Sequence, residues 1–114
     1  MLAYLLAFFI LVMAGGVALA VRERRGHALP LPVSVWHGLL GITVIVLLVM
    51  EAVAHPGNHP VNLAIIVFML TALGGLLLFA FRASKQSLPG AVVLLHAGFA
   101  VTGLILLCIG WMRS

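Results

Sequence analysis

The chain contains no aspartate, and only two of its 114 residues are acidic. A Ser-His-Asp relay is therefore excluded, and the serines stand at segment ends or in loops, away from any nucleophilic constellation. Cys108 is the single cysteine, which rules out an internal disulfide and leaves a thiol that reads as core filling. No glycine-rich strand-to-helix turn is present to cradle a phosphate. Charge of either sign is scarce: 7% of residues are charged against 65% hydrophobic, with a mean hydropathy of +1.34, outside the range of soluble globular domains. Alternating apolar and polar residues are missing too, which speaks against a membrane barrel.

What the chain does have is four apolar stretches, 1–21, 33–54, 61–81 and 91–112. Each is about the 20 residues needed to cross a hydrocarbon layer, and backbone groups in lipid must be satisfied within a helix. The first stretch has its basic cluster after the apolar run, the reverse of a secretory signal, and is expected to be a retained helix. Pro30 and Pro32, Pro56-Gly57 with Pro60, and Pro89-Gly90 punctuate the connections. Short connections make successive helices antiparallel neighbours. The expectation is an all-α, integral membrane four-helix up-down bundle forming one transmembrane domain over 1–114.

An internal repeat organises the four segments. A shift of 59 positions lays Gly15-Gly16 on Gly74-Gly75, Leu29-Pro30 on Leu88-Pro89, His37 on His96 and Thr43 on Thr102. The bundle is thus two tandem helical hairpins of the same orientation, related by a pseudo-twofold axis along the membrane normal. Arg22, Arg24, Arg25, Arg82 and Lys85 gather at the connections after helices one and three, while the connection after helix two has no Lys or Arg. By the positive-inside rule the connections after helices one and three are cytoplasmic and both termini extracytoplasmic. The net charge of +4 is a topology signal, and without an aromatic platform it is no nucleic-acid footprint. Trp36 and Trp111 read as interfacial anchors, and His27 as a solvated loop residue.

His37 and His96 are the leading functional candidates, because an ionisable ring inside a hydrophobic segment needs a partner. Helical spacing puts Gly41, Val44, Leu48, Glu51 and His55 on the His37 stripe, and Ala100, Gly103, Leu107 and Gly110 on the His96 stripe. One reading is hydrogen bonding across helices, to Thr43, Thr102 or a carbonyl. The other is coordination of a metal-centred macrocycle by two facing imidazoles, with Gly41 and Gly103 leaving room for its edge. Such a six-coordinate iron suits electron transfer. Arg22, Arg24, Arg25, Arg82 and Lys85 lie on the same membrane side. One or two of them, Arg25 and Lys85 first, are candidates to pair with haem propionates, the alternative being that they serve topology alone. Gly15, Gly16, Gly74 and Gly75 read as close-packing positions, and Met13, Met50 and Met69 as packing residues. Glu51, His55 and His59 form a second polar group. It has loose spacing for a metal, while Glu51 alone is placed to take a proton from a quinol.

One histidine each on helices two and four, in the Trp36-His37-Gly38 and Leu95-His96-Ala97-Gly98 segments, resembles the small bacterial b-type membrane cytochromes. The arrangement is also similar to one half of haem A synthase. The resemblance spans all four helices and implies one bis-histidine haem b. It further implies electron passage between quinol and a redox partner, and a place in the bacterial inner membrane within a respiratory complex or homo-oligomer. A second haem lacks a matching ligand, since the repeat mate of His55 is Ser114. Two other classes stay open. One is a non-catalytic accessory subunit of a respiratory or photosynthetic complex. The other is a small transporter, although such transporters carry an acidic residue in the first helix that 1–21 lacks. Ser87→Cys, in the connection after helix three, is expected to be labelled by membrane-impermeant maleimide only from the cytoplasmic side. Labelling from outside would reverse the topology.

Overall fold

Each apolar run becomes one helix and each helix outruns its run. The computed structural model describes residues 1–114 as α1 Leu2–Arg24, α2 Leu31–Ala54, α3 His59–Ala83 and α4 Gly90–Met112. Hydropathy marks hydrocarbon depth, whereas backbone hydrogen bonding continues into the head-group region. The first helix therefore takes in Glu23, which the apolar boundary left outside. Arg22 and Arg24 end α1, and Arg82 stands in the last turn of α3, where cations meet the negative end of the helix dipole. Pro32 and Pro60 lie inside helices rather than ahead of them, each at the second helical position. A first-turn N–H has no intrahelical acceptor, so its loss there costs nothing. Asn58 caps α3, its side chain accepting from the Val61 N–H.

All four helices are long and apolar enough to cross a membrane, which makes the chain a multi-pass membrane protein. They form a bundle of 44 × 22 × 19 Å in which sequential helices are neighbours and α4 returns to α1. The diagonal pairs are α1 with α3 and α2 with α4. The two histidine helices thus face each other across the interior.

Every fully buried residue lies toward the end that carries the α2–α3 connection. These are Leu2, Leu5, Leu6, Phe9, Val44, Leu48, Val61, Ala64, Phe68, Gly103, Leu107 and Gly110. Most are repeat mates: Leu2 with Val61, Leu5 with Ala64, Phe9 with Phe68, Val44 with Gly103, Leu48 with Leu107. Phe9 and Phe68 stack with ring centroids 4.0 Å apart and planes 8° from parallel. Such a pair adds about 1 kcal/mol beyond its buried area, and it ends the packed half. Lipid is as apolar as leucine, so fit rather than hydrophobic transfer holds these helices together.

Gly103 shows how close that fit is. A methyl group there would stand 2.8 Å from Cε1 of Phe68, whereas one on Gly38 would meet nothing within 4 Å. Gly103→Ala is expected to destabilise the bundle by about 1–3 kcal/mol through overpacking. Gly38→Ala should be neutral or mildly stabilising, through helix propensity. Unfolding midpoints in detergent micelles check this, and equal midpoints for the two variants would refute the packing assignment.

Candidate functional site

Beyond the Phe9–Phe68 stack, towards the end with the α1–α2 and α3–α4 connections, no residue is fully buried. The two histidines lie in this half. His37 on α2 and His96 on α4 face each other with ring centroids 6.4 Å apart and planes at 75°. Both are half-buried.

Each ring rests on the glycine pair of its own hairpin. A methyl group on Gly16 would stand 2.9 Å from Cε1 of His37, and one on Gly75 would stand 3.0 Å from Cε1 of His96. The double glycines are packing positions, as their spacing implies, and what they admit is imidazole. This is why the Gly-Gly pair and the histidine recur together in the repeat: neither side chain nor seat works without the other.

The ring nitrogens are set by the backbone. His96 Nδ1 lies 2.7 Å from the carbonyl oxygen of Thr71. A carbonyl only accepts, so in the neutral ring Nδ1 carries the hydrogen and Nε2 keeps its lone pair. The repeat mate of Thr71 is Val12, and the Val12 carbonyl faces the His37 ring. There the geometry stops short of a hydrogen bond, and His37 Nδ1 is buried without a partner. Thr43 and Thr102 take no part, since their hydroxyls donate to Leu39 and Gly98 one turn back on their own helices, each at 2.8 Å. Of the hydrogen-bonding partners open to the histidines in sequence, the carbonyl is the one used.

The remaining candidates divide. Gly41 is half-buried and a methyl there would make ordinary contact with Val12 at 3.8 Å, so the interior beside His37 is not tightly filled. Gly103 instead receives the Phe68 ring and serves the packed half. Arg25 and Lys85 are exposed in the two connections, and Lys85 adopts a left-handed turn conformation with φ 57°. Arg82 is the basic residue drawn inward. Its Nη1 donates to Glu23 at 2.9 Å, and its Nη2 donates to the Leu29 carbonyl.

Glu51 and His55 do meet, Oε1 to Nδ1 at 3.2 Å, with the Glu51 side chain only 14% exposed. His59 lines the same cavity of about 620 Å³, which has Leu2 and Val61 in its floor and Trp111 and Arg113 among its walls. No three His, Cys, Asp or Glu side chains converge on a common point anywhere in the chain. The repeat is broken here on purpose of space: the mate of Glu51 is Gly110, where Asn58 Nδ2 donates to the carbonyl at 2.9 Å and Val61 fills the missing side chain.

Sequence reasoning missed three participants: Phe9–Phe68, Thr71 and Glu23–Arg82. The signal was present for two of them, because the 59-residue shift lays Phe9 on Phe68 and Glu23 on Arg82. The first is an identity that announces a contact on the axis, and the second is a charge reversal that announces a pair. Thr71 left no such sign, because it is the backbone carbonyl that acts. In comparisons with known proteins, no family model, no curated protein and no solved structure matches this chain.

Proposed function

We propose that this chain is a membrane electron-transfer protein that holds one haem b between His37 and His96 and passes electrons between a quinol and a redox partner. The observation that carries the reading is the facing histidine pair. His37 and His96 would hold the group from opposite sides of the interior, one imidazole from each hairpin. The rings stand 6.4 Å apart between centroids with planes at 75°, an edge-to-face pair whose two imidazoles come from different hairpins and could hold one group in common.

The donor set fits as well. A metal-bound imidazole keeps its other N–H on a carbonyl, which fixes the tautomer and raises ligand basicity. The Thr71 carbonyl does this for His96, and the Val12 carbonyl, its repeat mate, is the group beside the unpartnered Nδ1 of His37. The glycine seats hold both rings at fixed depth, and Gly41 leaves side space beside His37. The Phe9–Phe68 stack separates the histidines from the packed half. When bound, haem would supply a reversible one-electron change at its iron, with His37 and His96 as the residues that would hold it. One histidine on each of α2 and α4 resembles the arrangement in the small bacterial b-type membrane cytochromes, which supports this reading. In this reading the chain sits in a bacterial inner membrane, and the basic residues of the α1–α2 and α3–α4 connections support a cytoplasmic side for them.

For the quinol, the Glu51–His55 pair supplies a proton acceptor over an amphipathic cavity at the opposite face. Fourteen residues separate Glu51 from His37, about 21 Å along α2, so Glu51 handles the proton and has no contact with the iron.

Reconstitution of the purified protein with haem is expected to give a low-spin reduced spectrum. His37→Ala and His96→Ala should each abolish it, leaving high-spin or haem-free protein. Wild-type spectra from both variants would make the histidines structural and end the cytochrome reading. Glu51→Gln should slow haem reduction by a quinol without altering the spectrum, and unchanged kinetics would reduce Glu51 to a helix-end residue.

A further inference from the structure

The diagonal helices carry matched columns. Phe9, Gly16 and Glu23 follow one another at seven-residue intervals on α1, and Phe68, Gly75 and Arg82 do the same on α3. Seven residues return to the same helix face and rise about 10 Å. The first members stack on each other, the second back the two histidines, and the third form an ion pair across the axis. The ion pair therefore stands over the histidine chamber, opposite the phenylalanine floor.

Its two side chains are held unequally. That of Arg82 is 13% exposed and has a second bond to the Leu29 carbonyl, while that of Glu23 is 30% exposed and has Arg82 as its partner. Of the two, Glu23 is free to swing into water. Arg82 stays, and a desolvated guanidinium without a counter-charge is costly.

We propose that Arg82 anchors an acidic side chain of the macrocycle held between His37 and His96, and that Glu23 competes for the same guanidinium. The inference rests on the haem reading. A carboxylate arm reaching up from the chamber meets a planar fork suited to bind it bidentately. Arg25 and Lys85 sit in exposed connections, where water screens the attraction. Arg82 is shielded, so its pull on a carboxylate is the stronger. Binding is then an exchange: one carboxylate leaves Arg82 for water as another arrives, and the guanidinium is never left unpaired. Glu23 thereby weakens the binding of ligands that carry an acid arm and leaves ligands without one unaffected.

The test is a titration of the full chain in detergent with ferric protoporphyrin IX and, separately, with its dimethyl ester, which lacks the free acids. Glu23→Gln is expected to bind the diacid about tenfold more tightly, and Arg82→Gln about tenfold more weakly. Neither should change affinity for the diester. The double variant Glu23→Gln, Arg82→Gln removes the pair without stranding a charge and serves if Arg82→Gln alone fails to fold. It should no longer respond to the acid arms, treating both porphyrins alike. Parallel shifts for diacid and diester, or no shift for either, would overturn the exchange while leaving the haem reading intact. Failure of the wild-type chain to bind either porphyrin would remove both.

Discussion

Phe9 meets Phe68, Leu48 shares a layer with Leu107, and His37 faces His96 because two copies of one hairpin are set about a common axis. A residue close to such an axis meets its own copy, and this constraint decides what the interior can contain. Flat rings can stack on themselves, and small residues can close up. Two imidazoles can face each other only if each has its own polar partner or a shared one, since an unpartnered polar group in hydrocarbon is costly. Two like charges cannot meet at all. At the one charged position on the axis the copies have accordingly diverged, to Glu23 in the first hairpin and Arg82 in the second.

The same constraint explains where the repeat is relaxed. The Gly103 backbone gives way to the Phe68 ring where its mate is Val44, so that one hairpin receives and the other fills. Gly110 is sealed by Asn58 and Val61, while its mate Glu51 opens on a cavity with His55. Near the histidines, His96 is hydrogen-bonded to Thr71 whereas His37 Nδ1 is left without a partner. The first hairpin is thus the less saturated half at both faces, and the second is the scaffold against which it stands. A fully symmetric bundle would offer the same surroundings twice, whereas here the two faces differ.

Packing is distributed in the same spirit. Full burial stops at the phenylalanine stack, and the histidine half is held by an aromatic floor, an ion pair and two glycine seats. The histidine half is correspondingly less closely packed than the other. The stability of the bundle therefore has to come from the other half, where Leu48, Leu107, Val44, Val61 and Ala64 are nearly or wholly inaccessible.

The four helices were legible because hydrocarbon thickness and backbone satisfaction leave few alternatives for a run of about twenty apolar residues. Their pairing into two like-oriented hairpins was legible because the repeat is written in residues that tolerate little change: paired glycines, a histidine and a Leu-Pro turn. The interior stripe through Val44 and Leu48, and through Gly103 and Leu107, followed from helical spacing alone. Helix ends did not, because hydropathy reports depth and not hydrogen bonding, and so Glu23 was left outside α1. Nor could the sequence say that the glycine pairs seat the histidines, that Thr71 contributes its carbonyl, or that Arg82 and not Arg25 or Lys85 turns inward. Those outcomes depend on the rotation of each helix about its own axis and on which pair becomes diagonal. Both are fixed by side chains fitting across the bundle, a sum over the whole interior that no local pattern contains.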